Sequence, residues 1–141
     1  MIVLDTNVVS EPMKPDADRR VEAWLDEQLA ETLYITSISL SELLLGVEIL
    51  PDGKRKKELG VALRDLLETL FGDRILPFEL QAAIRYATSI SKARATGRAI
   101  SMADGQIAAI AAVHGFTVAT RDTAPFVAAG VPVVNPWEPG G

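Results

Sequence analysis

Short apolar runs alternate along the chain with longer stretches in which apolar residues recur every three or four positions. Ile2-Val3-Leu4 is a strand-like run that meets Asp5-Thr6-Asn7 almost at once. Val8 to Met13 reads as a short helix interrupted by Pro12 and Pro15, because proline removes a backbone donor and crowds the preceding turn. Ala17 to Leu29 places Val21, Trp24, Leu25 and Leu29 at the spacing of one helix face. Leu33 to Ile38, rich in β-branched and aromatic residues, predicts a second strand running into a helix start at Ser39-Leu40-Ser41-Glu42. Pro51-Asp52-Gly53 is a turn that opens a helix from Lys54 to about Leu70. Arg74 to Phe78 predicts a third strand. Glu79 to Ala95 predicts a long helix with Leu80, Ala83, Ile84, Ala87 and Ile90 on one face, ended by Gly97. Ser101-Met102-Ala103-Asp104 opens a further helix, Gly105 to Val113, closed by His114-Gly115. Phe116 to Thr120 is the fourth predicted strand, followed at once by Arg121-Asp122, and Val131 to Val134 is the last.

Strands alternating with helices imply an α/β fold: a three-layer sandwich with a central, mostly parallel sheet flanked by helices. The chain has 141 residues and no internal repeat or linker-like stretch, so a single domain over residues 1–141 is expected. With 48% hydrophobic and 23% charged residues the composition is globular and not disordered. No apolar run approaches the roughly 18–20 residues of a membrane span. The N-terminus has no basic start followed by a long apolar core, so a cytoplasmic protein is expected. There is no cysteine, hence no disulfide framework and no thiolate metal site; a metal would be held by oxygen ligands or by the lone His114. The net charge of −5 argues against a broad nucleic-acid-binding face, yet it leaves room for a local basic rim around an acidic, metal-filled pocket.

In a parallel sheet every strand-to-helix junction falls at the edge outside the carboxyl ends of the strands, which is where the ligand crevice lies. Asp5 follows the first strand, Glu42 opens the helix after the second, and Asp122 follows the fourth. Asp104 begins the helix leading into that fourth strand, and its N-terminus returns to the same edge because a crossover helix runs antiparallel to the strands it joins. Capping competes with chemistry at each position. Ser39-x-x-Glu42 and Ser101-x-x-Asp104 fit the capping box, and Asp5 and Asp122 suit N-caps or Asx turns. For Glu79, a fifth junction acid, capping is the preferred reading. Convergence favours chemistry for the other four. Crowded carboxylates raise one another's pKa and cannot all stay ionised without a cation. An all-oxygen set of this kind suits Mg²⁺ or Mn²⁺, ions that activate water and neutralise phosphoryl charge. Metal-assisted phosphodiester hydrolysis is therefore the expected chemistry.

Four segments also resemble a known family: VLDTNVVSE (Val3 to Glu11), TSISLSELLLG (Thr36 to Gly46), SMADGQIAAIA (Ser101 to Ala111) and VATRD (Val118 to Asp122). Together they resemble the PIN-domain family over nearly the whole chain, and within it the VapC-type toxins of the FitB-like subgroup, which often end in a segment like Asn135-Pro136-Trp137. The resemblance implies a PIN-like, flavodoxin-like sandwich and a Mg²⁺- or Mn²⁺-dependent endoribonuclease that leaves a 5′-phosphate and a 3′-hydroxyl on single-stranded or structured RNA. Its acids map onto Asp5, Glu42, Asp104 and Asp122 without a departure. Asp5 and Asp104 would be direct metal ligands, Glu42 and Asp122 would complete the pocket directly or through water, and Thr6 and Thr120 would order the carboxylates. The resemblance further implies the toxin of a type II toxin–antitoxin pair. Such a toxin is usually a homodimer, held inactive in a larger assembly by a cognate antitoxin with a DNA-binding N-terminal part.

Several residues are weighed beside that set. Arg121, next to Asp122, is a candidate phosphate contact. Lys54 to Lys57 reads as a solvated helix face, and so do Arg85, Lys92, Arg94 and Arg98, with an RNA path as the alternative. His114 suits the C-terminal end of a helix. Trp24 is expected in the core, while Trp137 is open between packing and an intermolecular contact. Two rival functions remain. A phosphatase of the haloacid dehalogenase type needs a second Asp two residues after the first, where this chain has Asn7. A catalytically inactive PIN-like interaction module would have lost acids, and none is lost here.

Overall fold

The sheet is built outward from its first strand. β1 (Ile2–Leu4) is flanked on one side by β2 (Leu33–Thr36) and then β3 (Ile75–Leu76). On its other side lie β4 (Thr117–Ala119) and then β5 (Val133–Val134). The order is β3-β2-β1-β4-β5 and every pair is parallel. The computed structural model describes residues 1–140. Sequence order reverses direction at β1, which makes the carboxyl end of β1 the switch point where a crevice opens.

Short and long helical segments cover the two faces and the edges. After β1 come α1 (Thr6–Ser10), a 3₁₀ turn (Glu11–Met13) and α2 (Arg19–Glu27). After β2 come α3 (Ser37–Glu48) and α4 (Lys54–Leu66), the latter running into a π-helical turn (Leu67–Phe71). Beyond β3, α5 (Leu80–Ala95) and α6 (Met102–His114) form a packed pair, and α7 (Ala124–Ala128) precedes β5. Alternation along the strands divides the core in two. Val3 and Val118 pack with Ile107, Ile110 and Phe126 on one face. Leu4, Ile35 and Ala119 pack with Val8, Val21, Leu63 and Phe71 on the other. This is the expected three-layer α/β arrangement, with no helix among the described residues long and apolar enough to cross a membrane.

The differences from the expected elements have local causes. The second strand ends at Thr36, whose hydroxyl accepts from the Ser39 backbone N–H at 3.1 Å and so caps α3 two residues before the expected start. The first helix starts at Thr6, capped by Asp5, instead of at Val8. α7 was not expected; Pro125 in its first turn suits a helix start, although prolines elsewhere in the chain read as breaks. The largest correction concerns α5. Leu80 and Ile84 are 70% and 55% exposed, whereas Ala82, Ile90 and Ala93 are buried. The buried face is set by a notch at Gly105 on α6, where an added Cβ would lie 2.8 Å from Ile90 Cδ1 and 2.9 Å from Tyr86 Cε1. Close approach at one glycine outweighed the larger residues in choosing which side of α5 faces inward.

Candidate active site

Register brings the site together. Leu4 pairs with Ala119, so the next residues, Asp5 and Thr120, leave adjacent strands side by side at the switch point. The Asp5 backbone N–H still donates to Ala119 O at 2.9 Å, and the Thr120 hydroxyl then donates to Asp5 Oδ2 at 2.8 Å. Both residues are buried. Asp5 Oδ1 accepts from the Thr6 backbone N–H at 2.8 Å, so the carboxylate also caps α1. The same Thr120 oxygen accepts from the Asp122 N–H at 3.1 Å, fixing the turn after β4. Thr6 turns the other way and donates its hydroxyl to Glu42 Oε1 at 2.8 Å. Two threonine hydroxyls thus tie Asp5, Glu42 and the Asp122 backbone into one network.

Capping explains these acids unequally. Thr36, not Ser39, caps α3, and Glu42 lies past the first turn, so Ser39-x-x-Glu42 is not a capping box. Ser101 does cap α6, accepting from the Asp104 N–H at 3.2 Å, but the Asp104 carboxylate makes no return bond to the Ser101 backbone. Asp122 precedes Thr123, the residue at the cap of α7. Glu79 stands at the N-cap of α5 without a side-chain capping bond. Asp5 is the only one of the four whose capping bond is complete.

Electrostatics connects the four acids. Burial raises the Asp5 pKa from 3.8 to about 6; the Thr120 and Thr6 hydrogen bonds oppose that rise, and the charges of Asp104 and Glu42 add to it. Burial also raises Asp104; the Ser101 hydroxyl opposes it and Asp122 and Glu42 reinforce it. Among the described residues none of the four is in an ion pair. A partly desolvated, all-oxygen group of mutually repelling carboxylates is the donor chemistry that suits a hard divalent cation. No three acidic or imidazole side chains among the described residues already stand in ligating geometry. Glu42 and Asp122 are exposed at the rim, Glu42 steered by the Thr6 hydroxyl, while Asp5 is buried and held by its two hydrogen bonds.

The remaining candidates separate clearly. The Arg121 guanidinium lies 5.3 Å from the centre of the Trp137 ring and helps lower the pKa of Asp18, so it leans away from the acids. Trp137 is buried with Leu4 and Val8, which assigns it to packing, and Trp24 is partly buried against the same cluster. His114 ends α6 and stacks at 5.3 Å from Phe116. Lys54 and Lys56 pair with Glu58 and Asp52. Three supporting residues escaped the sequence reading. Asn7 Oδ1 accepts from the Arg121 N–H at 3.4 Å and Asn135 Nδ2 donates to Arg121 O at 3.5 Å, holding the loop after β4 from both sides. Asn-Pro at 135–136 was a turn signal that could have marked one of them. Gly105, beside Asp104, is the third.

The family model described as PIN domain matches residues 2–131. The chain is 49% identical over 139 residues to VapC ribonuclease Y4jK of Sinorhizobium fredii, covering 99% of each chain. It is 50% identical over 137 residues to toxin FitB of Neisseria gonorrhoeae, covering 97% of this chain and 99% of that one. The solved structure of FitAB bound to an IR36 DNA fragment superposes with a TM-score of 0.94 at 48% identity, over 98% of this chain and 96% of its own.

Proposed function

This chain belongs to the PIN-domain family, and from that premise we propose that it is a Mg²⁺- or Mn²⁺-dependent endoribonuclease, the cytoplasmic toxin of a toxin–antitoxin pair. The observation that carries the reading is the buried Asp5 carboxylate at the switch point, bonded to Thr120 and electrostatically coupled to Glu42 and Asp104. Asp5 and Asp104 would hold the ion directly, with Glu42 and Asp122 completing its shell directly or through water. The ion would supply an activated water and neutralise the charge that develops on the phosphoryl oxygens.

The chain's own part is orientation and proton control. Thr120 and the Thr6 N–H fix the two Asp5 oxygens by one bond each, leaving the other lone pairs free. Thr6 aims Glu42 toward the same edge. Because Asp5 is half-protonated near pH 6 in the metal-free protein, binding a cation releases that proton, and occupancy rises with pH through that range.

A groove of about 340 Å³ runs up to Thr6 and Glu42, walled by Met13, Leu43, Val47 and Leu59. It suits an apolar segment of an antitoxin whose end reaches the acids. Uncovered Leu80 and Ile84 on α5 support a homodimer. The test is cleavage of single-stranded RNA by purified protein with Mg²⁺ or Mn²⁺ and with chelator, using a small phosphomonoester as control. Cleavage of RNA alone, abolished by chelator, is expected; turnover of the phosphomonoester would favour the phosphatase, and no metal-dependent cleavage would favour the inactive module.

A further inference from the structure

We infer that Arg98, Lys92 and Arg85 form a phosphate-binding track that carries the RNA away from the acids along α5, on one side of the scissile bond. The inference rests on the ribonuclease reading and adds to it where the flanking strand lies. A cleft of about 600 Å³ is lined by Asp104 and Asp122 together with Arg98, Ser101, Pro125 and Val127. Arg98, and not Arg121, is therefore the cation sharing a cavity with two of the acids.

The cleft does not end there. A second one, of about 360 Å³, is lined by Arg85, Ser89 and Lys92 of α5 and by Ala128 to Gly130. Ala128 lines both, so the two clefts are neighbours along α5 and the segment around α7. Arg85, Ser89 and Lys92 stand at i, i+4 and i+7, on one face of α5, and Arg85 and Lys92 are about 10 Å apart along the axis. Hydroxyls of Ser89 and Ser101 add uncharged phosphate donors along the same wall.

Charge points the same way. From Leu80 to Met102 the chain carries Arg85, Lys92, Arg94 and Arg98 and no acid, and Thr123 to Trp137 carries no charge, in a chain of net −5. None of these four cations is ion-paired among the described residues, in contrast to Lys54 and Lys56. A polyanion drawn to the acid-rich edge by a bound cation would find a continuing positive wall here. Arg94 lines a third cleft, with Ile90 and Ala93, that shares Arg98 and Ala99 with the first, so it marks the rival exit from the acids.

The test is steady-state cleavage of a twelve-nucleotide and a three-nucleotide single-stranded RNA by wild type, Arg85→Gln, Lys92→Gln, the double variant and Arg94→Gln, at several salt concentrations. For the long RNA, KM should rise roughly threefold for each track cation removed, and the slope of log(kcat/KM) against log[salt] should become shallower by about 0.7 per cation. The kcat and the short RNA should be unchanged, and a loss on the long RNA in Arg94→Gln in place of Arg85→Gln and Lys92→Gln would overturn the track by routing the strand through the third cleft. An unaltered salt slope in the double variant, or an equal loss on the short RNA, would overturn the track while leaving the ribonuclease reading intact. Wild type that cleaves neither RNA would overturn both.

Discussion

Two acids six residues apart, Asp5 and Glu11, are almost equally buried, at 6% and 5% exposure, and the protein treats them in opposite ways. Glu11 is satisfied from within. Its Oε2 accepts from the Asp18 N–H at 3.0 Å, its Oε1 meets Lys14 Nζ at 3.1 Å, and the backbone bond leads in holding its pKa below the usual value. Asp5 has hydrogen bonds from Thr120 and Thr6 but no cation, so burial raises its pKa to about 6, and the charges of Asp104 and Glu42 add to the rise. A buried acid with a cation of its own serves the fold, as Glu11 does by fastening the chain between the 3₁₀ turn and α2. A buried acid that the fold leaves uncompensated is a binding group.

The sharpest way to break the comparison is Asp5→Asn. Loss of RNA cleavage by about 10³-fold is expected, equivalent to ~4 kcal/mol of transition-state stabilisation. The same substitution should stabilise the metal-free protein at neutral pH. The folded-state pKa of Asp5 lies above its unfolded value, so the folded state binds more protons between about pH 4 and 6, and stability falls as pH rises through that window. The full effect is at most about 3 kcal/mol. Denaturant titrations of metal-free protein across that range should show the fall in wild type and its absence in Asp5→Asn. Glu11 contributes with the opposite sign: its depressed pKa gives stability that is present above the unfolded value and lost as pH drops through the folded one.

Next in size is Thr120→Val, which removes the hydroxyl from Asp5 without changing shape. A loss of about 10- to 100-fold in cleavage is expected, with recovery in Thr120→Ser, measured as kcat/KM. Gly105→Ala should cost about 1–3 kcal/mol in denaturant unfolding, because its Cβ meets the Ile90 and Tyr86 side chains and the α5–α6 packing must give. Asp104 is the adjacent residue, so a several-fold loss of activity should accompany the repacking. Smallest in activity is Glu11→Gln. Cleavage per folded molecule should be unchanged while stability drops by about 1–3 kcal/mol.

Much of this was legible in the sequence because the informative features are local. Apolar runs ending on Asp5 and before Asp122 mark strands and junction acids, and the parallel run of the strands sends every strand-to-helix junction to one edge. What escaped depends on distant packing. Whether Ser39 or Thr36 caps α3 turns on where β2 lets go of its neighbours, and so the capping alternative for Glu42 could not be dismissed beforehand. The inward face of α5 is chosen by Gly105, a residue on another helix. Asn7 and Asn135 clamp Arg121 only once β1, β4 and β5 lie side by side. Arg98 gained its place from a cleft that no spacing rule describes.

The most direct measurement is the thermal unfolding midpoint of wild type and Asp5→Asn at neutral pH, with and without saturating Mn²⁺. Without the ion, Asp5→Asn should melt higher. With it, wild type should rise by the binding free energy while Asp5→Asn stays nearly still, so the order of the two proteins narrows or reverses. A wild-type midpoint indifferent to Mn²⁺, or an equal rise in both proteins, would contradict the assignment of Asp5 as a metal-binding acid.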